Sequence, residues 1–188
     1  MKKTLLATLL ALSVGVASAA TVVIDGQNSE PKAGGNDSHQ LQLTVKAPIN
    51  ELLTGDVGIA NQITDNTYVQ STRYEAGLTA QKAVFGPVDA YGRGAIGQKN
   101  VSGADGYGYY SAEVGVIYHT PIVGLDAKAG YRYRNSFNDV HESSEKTNTF
   151  RYALSYGLTK VDTVGVRYDR VNGAGANNTV GAFYARNF

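Results

Sequence analysis

Arginine, lysine and carboxylate side chains recur in this chain at every second position, and that spacing poses the first chemical question. Arg73 and Glu75, Asp89 and Arg93, Asp126 and Lys128, and Arg132 and Arg134 share a parity in pairs. Glu113, Arg151 and Arg167 occupy the same place in similar stretches. Residues two apart lie on one face of an extended chain, so these eleven charges would line one face together. Adding Lys46 and Asp56 gives eight bases against five acids, a modestly basic lining. Arg132, Arg134, Arg151 and Arg167 fall on three successive stretches, where they would form one basic patch. Opposite charges enclosed together can pair and fill the space, holding its shape. They can also line a wet path whose charge sets ion selectivity. The residues leave both readings open.

Long strands must position these charges. Thr147 to Leu158 is the clearest: Phe150, Tyr152, Leu154, Tyr156 and Leu158 alternate with Thr147, Thr149, Arg151, Ala153, Ser155 and Gly157. That is period two over twelve residues, apolar on one side and polar or tiny on the other. Strands of water-soluble proteins run ~5–6 residues, whereas a strand that crosses a bilayer needs ~9–11. Length therefore argues against a secreted water-soluble sandwich, which would alternate too. Similar patterns cover 21–27, 38–47, 54–63, 68–81, 88–98, 107–118, 125–134, 163–169 and 178–188. Short apolar turns are expected near 50, 86, 122 and 161, and longer polar loops near 32, 66, 102, 140 and 175. Alternation of short and long connections is the habit of an outer-membrane barrel. The fold class expected is all-β, a closed antiparallel up-and-down transmembrane β-barrel of ten strands with both ends periplasmic. Eight is the alternative, if the ambiguous 21–27 and the weak 54–63 are not strands. An apolar outer face excludes water, and unpaired backbone groups in hydrocarbon cost several kcal/mol each, so the sheet must close on itself. Tyr68, Tyr110, Tyr118, Tyr131, Tyr133 and Tyr168 would suit interfacial girdles.

Residues 1–19 read as an address rather than as fold. Lys2 and Lys3 precede an apolar run from Leu5 to Val16, and Ala17-Ser18-Ala19 offers a cleavage site before Ala20. Residues 20–188 then form one barrel domain, and loss of Lys2 and Lys3 takes the formal charge from +1 to −1. That balance excludes nucleic acid as an expected partner. With no cysteine, disulfides, thiolate metal sites and cysteine-linked lipid are excluded. Metal-ligand spacings, phosphate-binding glycine loops and nucleophile elbows are absent from the sequence, so no cofactor or metal is expected.

The ending Val180-Gly181-Ala182-Phe183-Tyr184-Ala185-Arg186-Asn187-Phe188, with the leader and the alternating strands, resembles the small outer-membrane β-barrel and porin-like proteins of Gram-negative bacteria. In that family a terminal Phe, with apolar residues at alternate positions before it, is read by the barrel-assembly machinery. Val180, Ala182, Tyr184 and Phe188 match, while Arg186 stands where an aromatic is usual. Near an interface its long side chain can snorkel. The resemblance implies a monomer in the outer membrane, bounded by lipid and lipopolysaccharide. The inward charges and the polar loop 135–146 give the functional expectations: a small porin-like channel for ions or small solutes, or a non-conducting structural or surface-interaction barrel. A remote alternative is a rim hydrolase or acyltransferase, drawn from His39 with Asp37 and Ser38, or from His141 with Asp139, Glu142, Ser143 and Ser144. His119 falls at a periplasmic turn, the wrong end for that chemistry, and no enzymatic activity is expected.

Overall fold

The computed structural model describes residues 20–137 and 146–188. The leader 1–19 and the residues around His141 lie outside this range. Ten antiparallel strands follow in order: β1 (Thr21–Pro31), β2 (Ser38–Pro48), β3 (Leu53–Thr64), β4 (Gln70–Phe85), β5 (Val88–Val101), β6 (Ala104–His119), β7 (Leu125–Ser136), β8 (Thr147–Gly157), β9 (Asp162–Gly173) and β10 (Asn177–Asn187). Each pairs with its sequence neighbours, and β1 pairs with β10 to close the barrel. At that seam the Phe188 amide donates to the Ala20 carbonyl at 2.9 Å. The count is ten, not eight, because both doubtful stretches are fully paired: β1 between β10 and β2, β3 between β2 and β4.

Alternation decides which side each residue takes. Leu41, Leu43, Ile96, Val114, Leu154, Val166 and Val180 are exposed on the outer surface. An apolar surface running round the whole barrel is far larger than a soluble monomer carries. On the same outer surface Tyr110 packs tilted against Tyr133 and Phe137, at centroid distances of 6.2 and 5.6 Å, and Tyr131 meets Phe150 edge-on at 5.3 Å. Tyr68 lies outside the strands. It precedes β4 in a turn with φ of 52° and is exposed.

Several strands outrun the apolar pattern. β1 continues to Pro31, and β5 and β6 leave only Ser102 and Gly103 between them. The expected polar loop over 99–106 is therefore a tight hairpin, with Gly103 at φ 79° supplying the left-handed turn residue. Likewise only 174–176 separates β9 from β10, while 120–124 on the other end is longer than either. Connection length does not alternate strictly. Beyond the apolar band both faces of a strand are wet, so composition there resembles a loop although the ladder persists.

Inside the barrel, glycines admit rings. The Tyr91 ring lies across Gly115 and Gly130, and the Tyr109 ring across Gly97, so closely that a Cβ at any of these glycines would overlap the tyrosine. Tyr109 is fully buried and Tyr91 nearly so.

Candidate functional site

The inward parity brings Arg73, Glu75, Arg93, Glu113, Lys128, Arg132, Arg134, Arg151 and Arg167 to the barrel interior. Asp89 and Asp126 sit instead at the rim, on the end that carries the chain termini. There His119 lies between them, Nε2 3.3 Å from Asp89 Oδ2 and Nδ1 2.8 Å from Asp126 Oδ1. Deeper, the charges divide into two networks.

The first crosses β3, β4 and β5. Arg93 grips Asp56 with two hydrogen bonds, Nη2 to Oδ1 at 2.5 Å and Nε to Oδ2 at 3.0 Å. Its Nη2 also lies 2.8 Å from Glu75 Oε1. The Tyr109 hydroxyl donates to Glu75 Oε2 at 2.9 Å, and Arg134 Nη2 approaches the same oxygen from β7 at 3.6 Å. Gly77 makes this possible, because a Cβ there would stand 2.6 Å from Arg93 Nη2.

A second network runs from β6 to β1. Arg151 Nη1 donates to Glu113 Oε2 at 2.8 Å and its Nε to Asp169 Oδ1 at 3.2 Å. Arg167 Nη1 lies 2.8 Å from Asp25 Oδ2, and its Nε lies 3.8 Å from Asp169 Oδ2. The Tyr91 hydroxyl donates to Glu113 Oε1 at 2.8 Å, with Lys128 Nζ 3.7 Å from that oxygen and 3.9 Å above the Tyr91 ring. A buried charge is tolerable only when paired and hydrogen-bonded; Glu113 and Asp169 meet that condition, while Asp25 is paired through Oδ2 and its Oδ1 has no hydrogen-bond partner.

The expected single basic patch does not form. Asp169 enters between Arg151 and Arg167, and Asp25 takes the other side of Arg167. Neither acid is among the five in the expected lining. Asp169 shares the parity of Arg167, so the signal is present in the sequence. Asp25 follows Val22-Val23-Ile24, where three apolar residues in a row leave the inward face unmarked.

Between the networks the interior opens into two cavities of about 410 and 400 Å³. One lies toward the chain termini and includes Lys46, Asp56 and Tyr91; the other lies toward the longer loops and includes Gln40, Gln62 and Thr149. Arg73, Arg132, Arg134 and Asp169 line both, so these side chains stand where the two cavities adjoin. Arg73 Nη2 donates to Gln40 Oε1 at 3.3 Å. Arg132 makes no hydrogen bond or ion pair with any described residue, and its Nε is shut away from solvent.

No catalytic arrangement forms around His39. Ser38 points inward and accepts a hydrogen bond from Gln62 Nε2 at 2.7 Å, while His39 points outward to Asp65 at 3.2 Å. Adjacent residues of one strand face opposite sides, which is why proximity in sequence misleads here. The set around His141 lies outside the described residues.

In the last strand Val180 and Phe188 are exposed on the outer surface and the Tyr184 hydroxyl donates to Asp162 Oδ1 at 2.5 Å; Ala182 shares their parity. Arg186 finds the same oxygen at 3.6 Å and lies 5.7 Å over the Phe188 ring. An arginine at this place is thus neutralised by β9.

No protein-family model matches the sequence. No curated protein matches it either. Among solved structures, an outer-membrane channel from Pseudomonas putida F1 is similar to this chain, with a TM-score of 0.59 at 11% identity over 92% of this chain and 96% of that one. The NanC porin superimposes with a TM-score of 0.55 at 13% identity, covering 88% of this chain and all of the porin. The β domain of the Bordetella autotransporter BrkA gives a TM-score of 0.57 at 9% identity, over 92% of this chain and all of that domain. At such identities the likeness is one of fold: this chain shares the barrel architecture of outer-membrane channels and translocator domains.

Proposed function

We propose that the protein is an integral outer-membrane barrel that acts as a narrow porin-like channel for ions or small solutes, with a slight preference for anions. The observation that carries this reading is a pair of interior cavities that adjoin at Arg73, Arg132 and Arg134, where three guanidinium groups and one carboxylate, Asp169, line both. Charged rings of this kind set selectivity at a constriction. Ten strands also fall between the side-chain-filled interior of an eight-stranded barrel and the wide lumen of a sixteen-stranded one. The apolar exterior fits lipid and lipopolysaccharide. Export by a cleaved leader, reading of Phe188 by the barrel-assembly machinery of a Gram-negative cell, and a monomeric state all belong to this proposal. The chain ends then lie on the periplasmic side.

Planar-bilayer recording on the purified protein tests it. Discrete current steps are expected, with a reversal potential in a salt gradient displaced toward anions and moving back in Arg132→Gln. A silent bilayer over a well-folded barrel would replace the channel with a structural barrel whose ion pairs fill the bore.

A further inference from the structure

We infer that the level where the two cavities adjoin is a saturable binding site for a small oxyanion, a carboxylate, sulfate or phosphate group held by Arg132. This deepens the channel reading and rests on the same interior. Arg132 lines both cavities with only its Nε closed off, and three further buried atoms in residues around the loop-side cavity have no hydrogen-bond partner: Gln27 Nε2, Gln40 Nε2 and Thr149 Oγ1. Three of these four atoms are donors without any acceptor capacity, and the fourth is a hydroxyl that can donate. The nearby acceptors are already used. Gln40 Oε1 takes the Arg73 guanidinium, and Asp169 is held by Arg151 and Arg167. Unfilled capacity at this level is therefore donor capacity, beside an arginine with no counter-charge in contact. A ligand that brings only acceptors and negative charge complements the part of the Arg132 guanidinium that faces the cavities.

The strand register places these donors together. Arg132 on β7 and Thr149 on β8 are direct cross-strand partners on the inward face, with Arg134 two residues along from Arg132. Gln40 stands on β2, five strands from β7 in a ring of ten, and so on the opposite wall. An oxyanion here would meet the Arg132 guanidinium fork from one side and the Arg73 side chain from the other. Planar forks suit the oxygen pairs of carboxylate, sulfate and phosphate. A second interior cation without a direct partner, Lys46, lines only the other cavity and is not part of this site.

The test adds sodium sulfate, sodium phosphate or sodium acetate to protein carrying a chloride current, and runs isothermal titration calorimetry with the same salts on the detergent-solubilised barrel. Chloride current should fall along a saturable curve with at least one of the three salts. The salt that saturates first separates an inorganic oxyanion from a carboxylate ligand. Arg132→Gln should weaken block and calorimetric binding about tenfold or more, the loss of a hydrogen bond to a charged group. Arg132→Lys, which keeps the charge but not the fork, should fall between, and serves if the glutamine variant does not fold. Lys160→Gln, in the turn between β8 and β9, should leave both measurements unchanged. Calorimetric binding that depends on Arg132 in a barrel that carries no current would uphold the site and overturn the channel. Current with no saturation by any of the salts, or binding unaltered in Arg132→Gln, would overturn the site and leave the channel standing.

Discussion

Removing the negative charge of Glu113 would take a partner from Arg151, the nearest carboxylate from Lys128 and an ionised acceptor from the Tyr91 hydroxyl. Glu113 is almost wholly buried, so solvent cannot make good the loss. Glu113→Gln should therefore lower stability by about 3 kcal/mol, the low end of the range for breaking a buried ion pair. Urea unfolding of barrels in phospholipid vesicles, followed by tyrosine fluorescence, measures it. Arg186 makes the opposite case at the same scale. It lies where an apolar side chain is usual, yet Asp162 and the Phe188 ring receive it, so its charge does not reach hydrocarbon alone.

At the scale of the element, the packing between strands depends on rings laid over glycines. Gly130→Val would drive a branched side chain into the Tyr91 ring and displace it from Glu113 and Lys128. Overpacking of this kind costs about 1–3 kcal/mol. The expected outcome is a lower temperature for loss of the compact, fast-migrating form in heat-modifiability gels. The same scale shows what the chain alone discloses. Phe150, Tyr152, Leu154 and Tyr156 mark β8 unmistakably, because lipid on one side and packed interior on the other impose a strict period. Pro31, Val101 and Ala104 lie in strands that alternation does not reveal, since a strand bathed by water on both faces has no reason to alternate. Parity also tells which way Arg93 or Arg134 points, but not that they meet at Glu75. That meeting depends on the register between β4 and β5 and on the stagger of β7, which is not their neighbour, and no single strand carries it. For this reason the lining residues are legible in the sequence, whereas the two networks and the unpartnered Arg132 are not.

For the whole molecule, the decisive property is the inversion of a soluble protein, apolar without and charged within. Val114 is exposed midway along the outer face of β6. Val114→Arg should cost about 2–4 kcal/mol in a bilayer, the depth-dependent penalty for a cation on the lipid face. Folding in vesicles of defined composition, compared with folding in detergent micelles, measures the difference. A penalty near zero in vesicles would mean that this surface does not meet lipid.

The interior contacts have a mechanical side as well. Hydrogen-bonded ladders fasten each strand only to its neighbours, and a hoop fastened that way can be squeezed into an ellipse while every ladder survives. Arg93 to Asp56, Arg151 to Glu113 and Arg167 to Asp25 each span two strand intervals, and Arg134 to Glu75 spans three. Flattening the hoop would change all four spans at once. They act as spokes that oppose such flattening.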